Sequence, residues 1–263
     1  MTRITEKFDL RGKTAIIVGG SGLIGSQTVE TLVNANCKVI NIDLYNNRKK
    51  NKLYEFYKVN IENEKSIIIF KKKFNKKYKK LDILINHAFY KGNSKKIIPN
   101  QKYFSSLDKY PSKEWNKTIG VNLNGMFFVT KHFINLLLKN KSSVILNTSS
   151  TYGKVSPNKN IYGNSGINSP IGYATTKSAV IGFTKYLATH YGDKGLRANI
   201  LIPGGVESPG QSKIFRKEYK KLTPLKRMAN KSDYCAAVLY LVSDASLYMT
   251  GSEFVIDGGW TAW

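Results

Sequence analysis

A chain of 263 residues with 41% hydrophobic and 22% charged side chains has enough apolar material for a sizeable core, which excludes a disordered protein. No apolar run approaches the roughly 20 residues that span a bilayer, and the first residues contain no apolar secretory segment. The formal net charge of +25 is compatible with nucleic-acid or membrane binding, but much of the excess lies in short lysine runs and arginine is scarce. We therefore expect a cytoplasmic protein that binds neither nucleic acid nor membranes.

The first predicted elements occupy the stretch from Lys13 to Asp43. An apolar, β-branched run over 14–18 predicts a buried strand, and an apolar pattern of helical period follows it. A second buried strand over 39–42 ends at a carboxylate, Asp43. Between the first strand and the helix lie three glycines, Gly19, Gly22 and Gly25. Strand, glycine turn, helix, strand and acid in this order are typical of the first half of a dinucleotide-binding unit.

Each glycine in this turn has a predicted task. Gly19 lets the chain turn off the strand, Gly22 lets the backbone approach a pyrophosphate, and Gly25 lets the helix lie close to the sheet. The helix N-terminus offers free N–H groups to phosphates. Asp43 lies 18 residues after Gly25, in range of an adenosine ribose. The alternative is a tight turn that binds no ligand, and the motifs later in the chain decide between the two interpretations.

The rest of the chain alternates between strands and helices. Further strands are predicted at 54–59, 81–86, 143–147, 196–202 and 254–256. Helices are predicted at 64–80, from Ser112 onward and at 172–191. A further helix is predicted to begin at Ser232, which would be its N-cap. Residues 89–110 have little pattern and are predicted as a surface excursion. Residues 151–171, rich in Gly, Asn, Ser and Pro, are predicted as a loop at the cleft, and residues 205–224 as a mobile lid.

Regular alternation without a linker or a repeat predicts one α/β domain over residues 1–263. The expected architecture is a single-domain Rossmann fold, with a doubly wound parallel sheet of about seven strands and helices on both faces. Ligands of such sheets bind beyond the carboxyl ends of the strands. Gly19–Gly25, Asn86, Ser150 and residues 203–206 all follow predicted strand ends, so we expect them to share one cleft.

Four residues form the candidate catalytic set: Asn122, Ser150, Tyr173 and Lys177. Tyr173 and Lys177 are four residues apart, so they share one helix face. A free phenol has a pKa of about 10, and an ammonium group one turn away should lower that pKa and make the phenol a usable acid or base. Ser150 can hydrogen-bond a substrate oxygen beside the tyrosine. The Y-x-x-x-K spacing by itself is weak evidence for catalysis, because Tyr173 and Lys177 could also be an ordinary pair on a helix surface.

Taken together, these motifs resemble those of the short-chain dehydrogenase/reductase family, and the resemblance covers nearly the whole length of the chain. The matching motifs are the glycine turn, Asp43, 86–88 where the family usually has Asn-Asn-Ala-Gly, 121–123, Ser150, Tyr173 to Lys177, 203–204 and 255–259. The resemblance implies that Tyr173 donates and accepts the proton, and that Ser150 assists it on the substrate oxygen. It implies that Lys177 lowers the tyrosine pKa and binds the nicotinamide ribose, and that Asn122 holds a water in a proton relay.

The resemblance also implies a set of cofactor-binding residues. They are Gly19, Ser21, Gly22, Leu23, Ile24, Gly25, Asp43, Asn60, Ile61, Asn86, His87, Ala88, Tyr173, Lys177, Pro203, Gly204 and Val206. The carboxylate of Asp43 would repel the 2′-phosphate of NADP, so NAD is the expected cofactor, although Arg48 and Lys49 lie near enough in sequence to oppose this. No metal site is expected, because His132 and His190 have no metal-ligand spacing.

Three departures from the family pattern stand out. The glycine turn reads G-x-x-G-x-x-G, with Leu23 at the usual middle glycine. His87 and Phe89 replace Asn and Gly after the fourth strand, and His87 is predicted to pack rather than to catalyse. Ser150 and Tyr173 are 23 residues apart, so the segment 158–170 is predicted to loop out at the mouth of the cleft. With the Gly-Gly-Trp ending, this resembles a bacterial subgroup associated with surface-polysaccharide or flagellin-sugar biosynthesis.

The sequence thus predicts an NAD(P)-dependent oxidoreductase that interconverts a secondary alcohol and a ketone, with a sugar or sugar-derived substrate preferred. A 3-oxoacyl-thioester reductase is the enzymatic alternative, and a regulator that senses the dinucleotide or binds nucleic acid is the non-enzymatic one. The resemblance implies a homotetramer or homodimer. The aromatic residues proposed for its interface are Phe127, Phe133, Phe183 and Tyr186, and the alternative for each is a place in the protein core.

Overall fold

The structure is a computed structural model that describes residues 3–49, 51–92, 102–165 and 167–263. Its strands form one sheet in the order β3-β2-β1-β4-β5-β6-β7, and every neighbouring pair is parallel. The strands are β1 (Thr14–Val18), β2 (Lys38–Asp43), β3 (Tyr54–Lys58), β4 (Ile83–Asn86), β5 (Ser143–Thr148), β6 (Leu196–Pro203) and β7 (Glu253–Ile256). This is the predicted Rossmann fold, which is confirmed.

Helices cover both faces of the sheet. They are α1 (Leu23–Asn34), α2 (Glu64–Lys77), α3 (Ser112–Ile119), α4 (Met126–Leu137), α5 (Thr151–Lys154), α6 (Ile171–Tyr191), α7 (Lys213–Leu222) and α8 (Cys235–Val242). Because strand side chains alternate between faces, Ile16 packs into a core with α2, α4 and α6, while Ile17 packs into the opposite core with α1 and α8. Both cores exclude water, which explains why the strands read as continuous apolar runs.

The parallel register brings the carboxyl ends of the strands to one edge. Val18 lies opposite Asn86 of β4 and Ile42 of β2, and Asn86 lies opposite Asn147 of β5. The residues that follow these strands, including Gly19, His87 and Ser149, therefore emerge side by side. The predicted convergence of the strand-end motifs follows from this register.

The long helix predicted from Ser112 is not uniform. It begins at Ser112, but residues Gly120–Gly125 form a π-helical turn between α3 and α4. A π-turn accommodates one extra residue per turn and often marks a functional site. Here the turn contains Asn122, which is buried. The helix predicted over 64–80 is shorter than expected, because Tyr78 has extended backbone and ends α2 at Lys77.

The segment 151–171 is not the plain loop that its composition predicted. Residues Thr151–Lys154 form the one-turn helix α5, and Lys159–Tyr162 form a 3₁₀ turn. The polar segment predicted as a lid likewise contains a regular helix, α7, whose Tyr219 is buried. Both segments are ordered by tertiary contacts: Ile161, Tyr162 and Tyr219 share a cluster with Trp260. Local composition carries no signal for such contacts.

Two further predictions are corrected. Asn230, not Ser232, caps the turn before α8, because its side chain and that of Asp233 form a reciprocal capping box. The surface excursion over 89–110 contains two 3₁₀ turns, and Tyr103 and Phe104 in the first are buried rather than exposed. The part of that excursion at 93–101 lies outside the described residues.

Arg197 on β6 is a buried cation that is held by backbone carbonyls. Its guanidinium donates to the carbonyl oxygens of Leu241 at 3.3 Å, Met249 at 3.2 Å and Ser243 at 3.1 Å. Leu241 lies in the last turn of α8, where carbonyls have no intrahelical partner. Burial lowers the pKa of Arg197, and the three carbonyls compensate the desolvated charge. The contact fastens α8 to the sheet.

We expect Arg197→Met to lower the free energy of unfolding by about 3 kcal/mol, because it leaves several buried carbonyls without a donor. Urea unfolding at one fixed protein concentration measures the effect. Arg11→Met is the matched control: the Arg11 side chain is 78% exposed and its pair with Asp9 spans 3.8 Å, so its loss should cost less than about 0.5 kcal/mol. Equal effects of the two substitutions would contradict the assigned role of Arg197.

Candidate active site

The glycine turn after β1 is built from close backbone contacts. Gly19 has a φ of +81°, and a Cβ there would lie 2.7 Å from the Cα of Ala88. A Cβ on Gly25 would overlap the carbonyl oxygen of Gly19. Gly22 differs, because the nearest atom to its missing Cβ is the oxygen of Gly19 at 3.3 Å. The first and third glycines are thus required by packing, whereas a Cβ on Gly22 would meet a single backbone oxygen and the rest of the backbone surface there is uncovered.

That surface lies at the N-terminus of α1. Gly22 is the N-cap and provides no side-chain cap. Among the described residues, no protein acceptor binds the N–H groups of Leu23 and Ile24, whereas the N–H of Ser26 bonds to the carbonyl of Gly22. Unpartnered N–H groups and the positive end of the helix dipole form a cradle for an anion. The residues present therefore fit the pyrophosphate of a dinucleotide.

Asp43 at the end of β2 is bound to this same turn. One carboxylate oxygen accepts from the N–H of Ser21 at 3.0 Å, and the other accepts from the N–H of Leu44 at 2.6 Å. Asn41, buried in β2, accepts from the N–H of Gly20 and donates to the Ser21 hydroxyl, both at 3.0 Å. The carboxylate is therefore held beside the cradle, at the predicted position for a ribose.

His87 takes the place of the usual asparagine and is buried. Its Nε2 lies 2.9 Å from the hydroxyl of Thr28, and its Nδ1 lies 2.6 Å from the hydroxyl of Thr148. Burial, and secondarily the charge of Lys177, lowers the pKa of His87 to about 3, so the ring is neutral. Both ring nitrogens are engaged with protein. The side chain packs, as expected, and since the N–H of His87 bonds to the carbonyl of Val18 at 2.9 Å, only its backbone carbonyl remains available to a cofactor.

Asn122 connects two parts of the site. Its Oδ1 accepts from the N–H of Tyr90 at 2.7 Å, and its Nδ2 donates to the hydroxyl of Thr176 at 2.9 Å. The Thr176 hydroxyl in turn bonds to the carbonyl of Tyr173 at 3.0 Å. Asn122 thus ties the chain after β4 to the helix that carries Tyr173. Its predicted role in a proton relay stays a prediction.

Ser150 follows β5 and is the N-cap of α5. Its Oγ accepts from the N–H of Tyr152 at 3.2 Å, which fixes the side-chain rotamer. Ser150 also lies near enough to the phenol of Tyr173 to favour its ionised form. The short helix α5 packs closely on α6, since a Cβ on Gly153 would lie 2.6 Å from the carbonyl oxygen of Lys177. Ser150 and Tyr173 are therefore brought together despite their separation of 23 residues.

Lys177 is 3% exposed and points toward the end of β5. Its Nζ donates to the carbonyl of Thr148 at 2.7 Å, and it lies 5.7 Å from the centre of the Tyr173 ring. Its own backbone carbonyl accepts from the hydroxyl of Ser149 at 2.6 Å. Tyr173 and Lys177 share one face of α6, as the spacing predicted.

The electrostatics of this pair differ from expectation. Burial lowers the pKa of Lys177 to about 7. Burial also raises the pKa of Tyr173, and the neighbouring Ser150 side chain opposes that rise only in part. The predicted lowering of the tyrosine pKa is wrong for the protein alone, because desolvation disfavours both charged forms. The sequence spacing indicated the lysine but not the loss of solvent.

The remaining predicted cofactor residues lie at the same edge of the sheet. Asn86 donates to Asn147 at 2.8 Å, while its Oδ1 is buried without a partner among the described residues. Gly204 approaches β7 closely, since a Cβ would lie 2.7 Å from the Cα of Asp257. Residues 60 and 61 follow β3: Asn60 is exposed, whereas Ile61 is buried. Pro203 ends β6, and Val206 forms a bridge with Ala229.

An aromatic wall beside Tyr173 was not predicted. Tyr152 lies edge-on to Tyr173 with 6.5 Å between ring centres, and Tyr219 of α7 stacks on Trp260 at 4.2 Å. Tyr162 contacts Phe215 of α7 at 5.4 Å. These rings come from four separate segments, so no local pattern could have grouped them. They place the inserted segment and α7 together over the cleft.

A family model described as enoyl-(acyl carrier protein) reductase matches residues 21–261. The chain belongs to the short-chain dehydrogenase/reductase family. Its Rossmann fold, the glycine cradle and the Tyr173–Lys177 pair are consistent with that membership. Family membership makes the protein an NAD(P)-dependent dehydrogenase or reductase, and it disfavours the non-enzymatic regulator.

Relatives in the family cover nearly the whole chain. The 3-oxoacyl-(acyl-carrier-protein) reductase FabG of Thermotoga maritima is 29% identical over 95% of this chain and 98% of its own. A short-chain dehydrogenase from Leptospira borgpetersenii with bound NAD+ is 34% identical, with a TM-score of 0.87, over 99% of this chain and 96% of that one. The aldohexose dehydrogenase of Thermoplasma acidophilum is 25% identical, with a TM-score of 0.81, over 97% and 96%.

Two further findings concern ligands and membranes. Within the described ranges, no helix has the length and apolar character needed to cross a membrane. In the same ranges, no group of three or more His, Cys, Asp or Glu side chains is arranged to hold a metal ion. His132 instead lies 2.8 Å from the carboxylate of Glu64.

The buried His87 gives a pH-dependent stability. Its folded pKa of about 3 lies below the ordinary value of 6.5, so the unfolded chain binds the proton more readily. The stability contributed by the neutral ring is present above about pH 6.5 and is lost as the pH falls toward 3. Between pH 6.5 and 5, we expect the wild-type protein to lose roughly 1.5 kcal/mol more unfolding free energy than His87→Asn. Parallel losses in urea titrations of the two proteins would show that His87 is not a buried neutral ring.

Proposed function

We propose that this protein is an NAD-dependent oxidoreductase that interconverts a secondary alcohol and a ketone on a sugar or sugar-derived substrate. The observation that carries the proposal is the convergence of Ser150, Tyr173 and Lys177 beside an anion cradle at one edge of the sheet. The general acid–base pair and the cofactor cradle are then parts of one cleft. Asn122 supports the pair through Thr176.

In this mechanism NAD, when bound, supplies or accepts the hydride at its nicotinamide. The N-terminus of α1 would hold the pyrophosphate, and Asp43 would accept hydrogen bonds from the adenosine ribose. Tyr173 gives its phenolic proton to the carbonyl oxygen in reduction and takes it back from the alcohol in oxidation. Ser150 donates to the same oxygen. Lys177 stabilises the phenolate by its charge and hydrogen-bonds the nicotinamide ribose.

Tyr173→Phe tests the acid–base assignment. The phenyl ring keeps the volume of the side chain, so the protein should fold and bind NAD, but turnover should fall by about 10³-fold because no group moves the proton. Ser150→Ala should cost about 2–3 kcal/mol of barrier, as for one oxyanion donor. Lys177→Ala should weaken both NAD binding and turnover. Steady-state rates and NAD titrations measure these effects.

Tyr248→Phe is the control for this series, because Tyr248 is fully exposed in the turn before β7. It removes the same hydroxyl and should retain wild-type turnover. A Tyr173→Phe enzyme that is as active as Tyr248→Phe would place the proton transfer elsewhere.

The preference for NAD is supported by two side chains. Asp43 places a carboxylate beside the cradle, where it would repel a 2′-phosphate. Of the two nearby cations that could bind that phosphate, Arg48 and Lys49, Arg48 is engaged elsewhere. Its guanidinium pairs with Glu30 at 2.9 Å and donates to the carbonyl of Ser26 at 3.2 Å. The neighbour from Leptospira borgpetersenii was solved with NAD+, which supports the same preference.

We expect the dissociation constant for NADP to exceed that for NAD by at least about tenfold, because like charges in one pocket repel. Asp43→Ala should bring the two constants closer together. Arg48→Ala should weaken NADP binding no more than NAD binding, since Arg48 pairs with Glu30. Calorimetric titration of each protein with both cofactors measures the constants, and tighter NADP binding by the wild type contradicts the preference.

The sugar assignment is supported by the wall of the cleft and by a relative. Tyr152 and Tyr162 add phenol groups near Tyr173, and the hydroxyl of Tyr162 bonds to that of Ser169 at 2.9 Å. Hydroxyls next to aromatic faces suit a polyhydroxylated ring. The neighbour from Thermoplasma acidophilum is an aldohexose dehydrogenase. The resemblance to the subgroup of surface-polysaccharide and flagellin-sugar biosynthesis points to the same substrate class.

A 3-oxoacyl thioester is the second candidate, because the relative from Thermotoga maritima is a reductase of that substrate. A substrate panel distinguishes the two. Aldoses, nucleotide sugars and polyols are assayed with NAD, and 3-oxoacyl thioesters with NADH and NADPH. We expect the highest kcat/KM within the sugar group. A thioester with a higher kcat/KM would replace the sugar assignment while leaving the roles of Tyr173 and Ser150 unchanged.

For the assembly we propose the homotetramer or homodimer that the family resemblance implies. Phe127 of α4 is 46% exposed and Tyr186 of α6 is 53% exposed, which suits an interface on these two helices. Phe133 is wholly buried, so it belongs to the core, which was the alternative prediction for it, and the partly buried Phe183 packs against the same core. Light scattering at micromolar concentration should give a multiple of the monomer mass. Phe127→Glu should reduce that mass, and a monomeric wild type contradicts the proposal.

A further inference from the structure

Phe89 is a large aromatic side chain at the position where the family usually has glycine. It follows β4 by three residues and is 46% exposed. Its ring centre lies 5.6 Å from that of Tyr173, with the planes inclined at 64°, so the two rings meet edge to face. The Nζ of Lys177 lies over the face of the Phe89 ring, 5.4 Å from its centre. One side chain therefore contacts both members of the acid–base pair.

Lys177 needs such a neighbour, because its ammonium group has few other partners. Among the described residues, the one hydrogen-bond acceptor of its Nζ is the carbonyl of Thr148. The titratable groups that face it are Tyr173 on its own helix and His87 at the end of β4, which is neutral. No carboxylate of the described chain acts on it, and burial alone lowers its pKa to about 7. Protonation of Lys177 thus depends on weak local contacts.

We propose that Phe89 is a positioning residue for the acid–base pair, whose ring face stabilises the Lys177 ammonium by a cation–π contact and whose edge-to-face contact holds the Tyr173 ring in place. The inference rests on the proposed function, since it takes Tyr173 and Lys177 as that pair. The π face of an aromatic ring carries partial negative charge and its edge partial positive charge. The ammonium lies over the face, which is the attractive geometry.

The Phe89 ring has two opposing effects on the protonation of Lys177, and an aliphatic side chain would have only one of them. Like any bulky apolar group, it excludes water from Lys177, which disfavours the charged form. Unlike an aliphatic group, the ring also attracts the ammonium group through its quadrupole, which offsets part of the desolvation penalty. This attraction is stronger where water is excluded. Glycine at this position would do neither. An aliphatic substitution of similar size therefore isolates the cation–π contribution.

The pKa of Lys177 tests the proposal directly. The full-length protein is labelled with ¹³Cε-lysine, and the Lys177 resonance is identified by its absence in Lys177→Arg. In Phe89→Leu, burial is retained and the π face is lost, so the pKa of Lys177 should fall by about one unit. Phe89→Met serves as a second aliphatic variant. Phe89→Trp keeps a π face and should hold the pKa at or above the wild-type value.

Tyr191→Leu is the matched control. The Nζ of Lys194 also lies 5.4 Å from the centre of an aromatic ring, that of Tyr191 at the far end of α6. This ring is about 27 Å along the helix from Tyr173 at 1.5 Å per residue, so its loss should leave the Lys177 titration unchanged. An unchanged Lys177 pKa in both Phe89→Leu and Phe89→Met, or an equal shift in Tyr191→Leu, overturns the proposal. The titration needs neither substrate nor cofactor, so a failure to oxidise any alcohol would count against the proposed function and not against this contact.

Discussion

The site depends on a charge that is held out of water. Lys177 lies in the interior at the carboxyl end of β5, where one backbone carbonyl and two aromatic rings surround its ammonium group. The chain around it is fastened in two places, because the hydroxyl of Ser149 binds the carbonyl of Lys177 and α5 approaches the same carbonyl through Gly153. Moving α6 away from β5 would break the contact of Lys177 with Thr148 and would separate Tyr173 from Ser150. The catalytic set is therefore a property of the β5–α6 junction.

Most of the fold could be predicted from sequence because the sheet is buried on both faces. Strands such as Thr14–Val18 and Leu196–Pro203 are apolar runs with sharp ends, and their predicted bounds differ from the observed ones by at most two residues. Helix α5 and the turn at Lys159–Tyr162 could not be predicted, because their order comes from distant partners: α6 packs closely on the first, where the hydroxyl of Ser178 donates to the carbonyl of Gly153, and α7 packs on the second. A composition rich in Gly, Asn and Ser predicts only that such a segment is neither a strand nor a long helix.

The candidate site likewise has features that local sequence rules predict and features that depend on the packed structure. The positions of Tyr173, Lys177 and Ser150 followed from helix periodicity and strand ends, which are local rules. The direction of the tyrosine pKa did not, because it is set by the loss of solvent around the folded pair. The environment of His87 is equally nonlocal: Thr28 lies 59 residues before it and Thr148 lies 61 residues after it. Spacing can name the groups of a site, but only the packed structure gives their protonation.

The large positive charge of the chain has little influence on this chemistry. A net charge of +25 would by itself oppose a further ammonium group, yet desolvation is the one cause that lowers the pKa of Lys177. Exposed charges are screened within about 8 Å at physiological ionic strength, and the lysines of α2 lie largely in solvent. The cleft is thus electrostatically separate from the surface. Its protonation state is set by neighbours within a few ångströms, and this allows surface lysines to accumulate without altering the acid–base pair.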